Sequence, residues 1–442
     1  MRKFMMRGFF FTSMLCMPWA SYGLSLKQAQ EIMLFKNTDI VIANQEFCKK
    51  GYEESEAKAL WYPSLDVVGS YNHFTQNSST TISGLPFPGL SPGASTTLPI
   101  PNSMNKTEIG ADLSYPLTTA FVNNFSVRYR HLAITAKEAQ NQGLKNQLSF
   151  KLGAMYLQWN LSFQQIDVYK TLIKQLEEMV TQTQQLKSGG VASSSQVLDV
   201  KARLAQAKSD MVTNQNQCDS LKLELLNFIQ TPDSNFLPAD YSFAIDSQAL
   251  LATDSIGLNS SRPELISLDL SMEQLAVFQN IIAGQKYPNL IALAGLRYAN
   301  PGLAMGKDQY MGYGLFGLQL KWNLFDGWKV SSQHKQTSEQ VDILKTQRRQ
   351  LVDMWDNAIK NAKLAIKRAE QQAAAANASF DAAEAYATDA QNNFAAGIAT
   401  QTDVLNALSA KSKSALLVKQ ATFMKNMAVL QLFFAAGREL KF

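Results

Sequence analysis

The stretch YPSLDVVGSY, Tyr62 to Tyr71, returns as YPNLIALAGL, Tyr287 to Leu296. Outward from it, IGADLSYPL (Ile109 to Leu117) returns as FGLQLKWNL (Phe316 to Leu324), and GVASSSQVLDV from Gly190 returns as GIATQTDVLNA from Gly397. The last two pairs share an offset of 207 residues, while the first is offset by 225. The difference of 18 fits a longer loop between Phe74 and Lys106. An architectural unit has been duplicated, so each motif is read together with its copy.

The repeated segments alternate with period two. Ile109, Ala111, Leu113, Tyr115 and Leu117 share one face; Glu108, Gly110, Asp112 and Ser114 share the other. Phe316, Leu318, Leu320, Trp322 and Leu324 likewise oppose Gly317, Gln319, Lys321 and Asn323. Leu65, Val67, Gly69 and Tyr71 oppose Asp66, Ser70 and Asn72, and Leu290 to Tyr298 is a less regular fourth. Segments of about ten residues suit tilted strands crossing a bilayer. Trp61, Tyr62, Tyr115, Tyr287, Trp322 and Trp328 sit near their ends, where amphipathic rings favour a membrane interface. A soluble sheet with one wet face has the same period, so alternation leaves both readings open. Thr75 to Thr107, rich in Ser, Thr, Pro and Gly, reads as a long exposed loop, with Asn300 to Asp308 as its shorter counterpart.

Helix is expected over most of the remainder. From about Thr119 to Leu186 apolar residues recur in steps of three and four, and the second half repeats this from about Trp328 to Asn393. At 1.5 Å per residue each helix would be about 100 Å long, which suits a packed array of coiled coils. Each stops at a glycine, Gly190 or Gly397. A return helix then starts behind a capping box, Ser193 with Gln196 or Thr400 with Asp403. The return helices run to about Phe228 and Ala436. The expected organisation is therefore a first repeat over 24–230, with a strand hairpin over 63–118 and a helical tip near 190. An irregular connection follows over 231–261. The second repeat covers 262–442, with a strand hairpin over 287–325 and a tip near 397.

The first 23 residues read as a secretory signal peptide: Arg2, Lys3 and Arg7 precede the apolar run Gly8 to Met17, and Ser21-Tyr22-Gly23 offers a cleavage site. The run is too short to span a bilayer as a helix, and Cys16 lacks a lipoprotein context. Removing the three leader charges takes the formal net charge from +5 to +2, and no basic run points to nucleic acid. Cys48 and Cys218 fall at different heights along the helices and are expected as free thiols. His73, His131 and His334 have no metal-ligand spacing. Gly312, Gly314 and Gly317 spell the dinucleotide-binding pattern, but they precede a strand instead of opening a helix. No catalytic, metal or cofactor site is expected.

The signal peptide, strand hairpins, helical hairpins and duplication together resemble the TolC family of outer-membrane efflux and secretion channels. The resemblance rests on the YP-starting strands, on the tip segments LKSGGVASSSQVLDV and FAAGIATQTDVLNA, and on NTDI and RPEL at Asn37 and Arg262. Four strands cannot close a barrel, so several chains must contribute; physics alone permits a dimer with eight strands. The resemblance implies a homotrimer in outer-membrane lipid, with a 12-stranded transmembrane β-barrel continuous with a periplasmic helical barrel. It also implies a periplasmic adaptor (membrane fusion) protein and an inner-membrane transporter as partners, and passive conduction through the duct. The tunnel would close near the tips, where Asp403 matches an aspartate that faces the narrow lumen and Asn406 stands at a second acidic position. Gln196, preceded by Ser195, replaces a frequent Asp, and Phe394 and Ala399 replace Tyr and Arg, so an Asp–Arg lock cannot form. Adaptor docking is expected at Gly190, Val191, Ala192 and Ser193 and at Gly397, Ile398, Ala399 and Thr400. The rival is an exported coiled-coil scaffold or adhesin without a pore.

Overall fold

The computed structural model describes residues 23–76, 79–83, 95–99, 104–118, 120–232, 236–238, 257–300, 302–303, 309–438 and 440. The leader expected over 1–23 lies outside them except for Gly23, as does most of the connection expected over 231–261. The elements run in the order β1 (Gly23–Leu24), α1 (Leu26–Lys36), α2 (Thr38–Ala59), β2 (Ser64–His73), β3 (Ser79–Ser83), β4 (Ser95–Pro99) and β5 (Asn105–Pro116). There follow α3 (Ala120–Ser188), α4 (Ser194–Phe228), β6 (Leu237–Pro238), α5 (Pro263–Gly284), β7 (Asn289–Asn300), β8 (Met311–Lys321), α6 (Lys329–Ala395) and α7 (Gln401–Ala436).

Two compact units emerge, and they cut across the sequence repeat. One combines 1–44, 140–265 and 349–442; the other combines 45–139 and 266–348. Each therefore draws on both sequence halves. α2, α3, α5 and α6 contribute residues to both units, with α3 running for 69 residues and α6 for 67.

The first unit is helical. α1 lays Leu26, Ala29 and Met33 against Leu152, Tyr156 and Trp159 of α3 and Leu225 and Leu226 of α4. The Tyr156 hydroxyl donates to the Leu24 carbonyl at 2.8 Å, giving the buried phenol its partner. Nearer the hairpin turns, Ile173, Leu176 and Val200 meet Ala387, Ala390, Val404 and Leu408 in one core cluster. The alanines supply the close approach that larger side chains would prevent. Removing a fully buried core leucine such as Leu152 costs about 2–5 kcal/mol, from lost transfer energy and the cavity left behind.

The second unit holds an antiparallel four-stranded sheet in the order β2-β5-β7-β8. β5 pairs with β7 in the register Gly110↔Arg297 and Asp112↔Gly295, which joins the two sequence halves across the middle of the sheet. All six Asp, Glu, Lys and Arg residues of these strands, Asp66, Lys106, Glu108, Asp112, Arg297 and Lys321, share one face by that register. The opposite face carries Val67, Ile109, Leu296, Phe316 and Leu318, all exposed on the single chain. Helix-to-helix ion pairs in this unit, Arg130 with Glu53 at 2.8 Å and Arg348 with Asp269 at 2.7 Å, bridge neighbours in the repeat. Each such surface pair contributes about 1 kcal/mol or less.

Two sequence expectations need correction. The segment 75–107 is not simply a loop: the β-branched runs STTIS and STTLP form the hairpin β3–β4, joined at Thr81↔Thr97. The strand expected from the alternation of Phe316 to Leu324 lies earlier, as β8, starting at Met311 and ending at Lys321. Trp322, Asn323 and Leu324 fall beyond it, ahead of a turn with left-handed backbone at Gly327 and Trp328. The Gly312-Gly314-Gly317 pattern therefore runs along a strand.

Candidate functional site at the hairpin tips

Both tips belong to the helical unit and are built alike. α3 ends in a turn where Gly190 N–H bonds to the Lys187 carbonyl at 3.0 Å and Val191 N–H to the Leu186 carbonyl at 2.9 Å. At the second tip, Gly397 N–H bonds to Phe394 at 3.0 Å and Ile398 N–H to Asn393 at 2.8 Å. Gly190 has φ of 77° and Gly397 of 74°, a left-handed conformation that only glycine adopts without steric cost. The residues that follow, Val191 and Ile398, are 77% and 78% exposed. An apolar side chain so placed at both turns buries little against the described residues of the chain.

The capping boxes read from the sequence are present. Ser193 N–H donates to Gln196 Oε1 at 2.7 Å, and Gln196 N–H donates to Ser193 Oγ at 3.3 Å. Ser195 Oγ lies 2.7 Å from Ser193 Oγ. At the other tip, Thr400 N–H and Oγ1 both donate to Asp403 Oδ2, at 2.9 and 2.7 Å, and Asp403 N–H donates back to Thr400 Oγ1 at 3.3 Å. The hydrogen bonds from the Thr400 hydroxyl and backbone hold the Asp403 carboxyl below the usual aspartate range. Asp403 and Asn406 are both exposed one turn apart on α7, while Phe394 is half-buried against the core beneath the tips. Ala192 and Ala399 are half-buried.

One residue was missed by the sequence reading. Gln401, 4% exposed, donates from Nε2 to the backbone carbonyl of Gln196 at 2.8 Å. That bond ties the second tip to the first at the level where an acid–base lock was ruled out. The signal was there to find: Gln401 lies on the same helical stripe as Val404 and Leu408, both buried, so its amide had to find a partner inside.

The sheet has charge on one face, exposed apolar residues on the other and, among the described residues, open edges at β2 and β8, and its strands run on in the chain into helical hairpins of great length. Those features define a subunit of an outer-membrane channel. A family model described as outer membrane efflux protein matches residues 33–228 and 276–438, and the chain belongs to that family. The fold is also that of solved channels. The outer membrane protein VceC from Vibrio cholerae is 15% identical, with 93% of this chain and 96% of that one covered at a TM-score of 0.69. The CmeC outer membrane channel of Campylobacter jejuni is 14% identical, covering 94% and 86% at 0.70. The open state of the MtrE outer membrane channel of Neisseria gonorrhoeae is 14% identical, covering 94% and 89% at 0.70. No curated protein matches the chain by sequence. Family membership places the protein in the outer membrane with a long periplasmic helical extension, and makes it a channel component, not an enzyme. Its four main strands are one chain's share of an oligomeric barrel.

Proposed function

We propose that three copies of this chain form the passive outer-membrane duct of a tripartite efflux or type I secretion machine. The observation that carries this reading is the sheet. Its charged residues all face one way, its apolar face is uncovered, and both edge strands lack a neighbour among the described residues. In lipid an open edge leaves backbone groups unsatisfied, so neighbouring copies must supply the missing strands. Three copies give a barrel of twelve strands, with the charged face lining water.

A periplasmic adaptor docks at the tips in this reading, supported by the matched exposure of Val191 and Ile398. An inner-membrane transporter supplies the energy. The closed state is held by Gln401 and by packing, in place of an ion-pair lock, and Asp403 contributes an acidic ring to the narrow lumen. The test is reconstitution of the membrane-extracted protein into planar bilayers, with oligomer number read from projection images. Three-fold particles with discrete conductance are expected. A stable soluble protein that gives no conductance would establish the scaffold reading instead.

A further inference from the structure

Arg297 lies on the charged face of the sheet, 13% exposed, and bridges two carboxylates of the neighbouring strand. Its Nε is 2.6 Å from Glu108 Oε1 and its Nη2 is 2.6 Å from Asp112 Oδ1. The guanidinium reaches both because the residue paired with it is Gly110. A Cβ at Gly110 would stand 2.5 Å from the Leu296 carbonyl oxygen and 2.7 Å from both Cδ and Nη1 of Arg297, so a side chain there would push on the strand backbone as well as on the arginine. Lys106 makes a second contact to Glu108 at 3.3 Å.

This arrangement occurs once per chain and not twice. The residue 225 positions before Arg297 is Asn72, and those 207 positions after Glu108 and Asp112 are Leu315 and Gln319. The duplication therefore supplied the sheet, and the charged bridge belongs only to the seam between the halves. On the shared face, the acids Asp66, Glu108 and Asp112 are matched by the bases Lys106, Arg297 and Lys321. The face is charged but balanced.

We propose that Arg297 is a specificity-determining residue of the duct. By cancelling one of the two carboxylates it bridges, it keeps the barrel lumen without net charge, so that the outer-membrane passage admits solutes of either sign. A ring of uncompensated carboxylates would instead favour cations, as acidic rings do in cation channels. The proposal rests on the duct reading, and the two can fail separately. If no variant and no wild type conducts, the duct reading has failed; conductance with unaltered selectivity fails only this proposal.

The experiment is the reversal potential across a KCl gradient, in the wild-type and Asp403→Asn backgrounds, so that the tip does not mask the barrel. Arg297→Gln should raise the potassium-to-chloride permeability ratio several-fold, and adding Asp112→Asn to it should return the ratio to the parental value. Arg297→Lys keeps the charge but cannot span both carboxylates, so it should keep the ratio while lowering the heat stability of the oligomer. A parental ratio for Arg297→Gln in both backgrounds overturns the proposal, as does an Arg297→Lys ratio shifted as far as that of Arg297→Gln. Should Arg297→Gln fail to assemble, Asp112→Asn alone decides: a shift toward chloride is expected, and an unchanged ratio overturns the idea.

Discussion

Asn37 and Arg262 occupy equivalent positions, 225 residues apart, and each holds the carboxyl end of a return helix. Asn37 Nδ2 donates to the Phe228 carbonyl at the end of α4, at 3.0 Å. Arg262 Nη1 donates to the carbonyls of Phe434 and Ala435 at the end of α7, at 2.9 and 2.5 Å. The two solutions differ in strength. Asn37 also starts α2, its Oδ1 accepting from Asp39 N–H at 3.0 Å. Arg262 is 1% exposed, stacks 3.5 Å from the Trp355 ring centroid, and pairs with Glu264 at 3.2 Å, while Pro263 opens the next helix. A cation at a helix carboxyl terminus also opposes the negative end of the helix dipole.

Unequal costs follow from truncating the pair. Arg262→Met strips helix carbonyls and Glu264 of a buried partner and is expected to destabilise by about 3 kcal/mol or more. Asn37→Ala loses a neutral hydrogen bond of about 1 kcal/mol. Thermal loss of the helical circular-dichroism signal, measured on detergent-extracted protein, should order them wild type, Asn37→Ala, Arg262→Met. The reverse order between the two variants would show that Arg262 is not the anchor.

Gln401→Leu preserves the volume of a buried side chain while removing its bond to the Gln196 carbonyl. With that link gone, single-channel recordings should show larger or more frequent openings than wild type, while oligomers form as before. Traces indistinguishable from wild type would leave closure to packing alone.

The charge of Asp403 is expected to persist into acid. Its folded-state pKa is depressed by the Thr400 hydrogen bonds, so the stabilisation it contributes is present above the unfolded value. It is lost as pH falls through the lowered folded value. Block by periplasmic divalent or trivalent cations should therefore fade at a lower pH than it would for an aspartate without the Thr400 hydrogen bonds. The Asp403→Asn variant, which keeps a capping side chain, should lose the block at every pH. Because Asn406 leaves one acidic ring, block should be weaker than in an Asn406→Asp variant. Equal block in wild type and Asp403→Asn would reduce Asp403 to a helix cap.

Adaptor docking is tested by the double substitution Ala192→Glu with Ala399→Glu. Charge beside the exposed Val191 and Ile398 should abolish export of drug or protein while oligomers remain in the membrane. Undiminished export would move the docking surface elsewhere.

The duplication made much of this fold legible, because each weak signal was written twice. The ends of α4 and α7 at Phe228 and Ala436, the left-handed glycines at the tips and both capping boxes follow from local chemistry that a sequence displays. Other features needed the register. Nothing local sets Arg297 opposite Gly110, and its two carboxylates lie nearly two hundred residues before it. The start of β8 was hidden because MGYGL places its large residues in the opposite phase to Phe316, Leu318 and Leu320, whereas Trp322 and Leu324 carry that later phase on past the end of the strand. Gln401 was overlooked because its neighbour Thr400 already explained the start of the helix.

The middle seam of the sheet, β5 with β7, closes within one chain, while β2 and β8 are left for other chains. That division dictates an order of biogenesis. A newly exported subunit can complete its own central pairing, including the Arg297 bridge, in the aqueous periplasm. It cannot enter lipid alone, because its bare edges would carry unsatisfied amides into hydrocarbon. Insertion must therefore wait for assembly. In pulse-labelled cells, monomers should be extracted by carbonate and only oligomers should resist it. A carbonate-resistant monomer would show that the edges can be satisfied some other way.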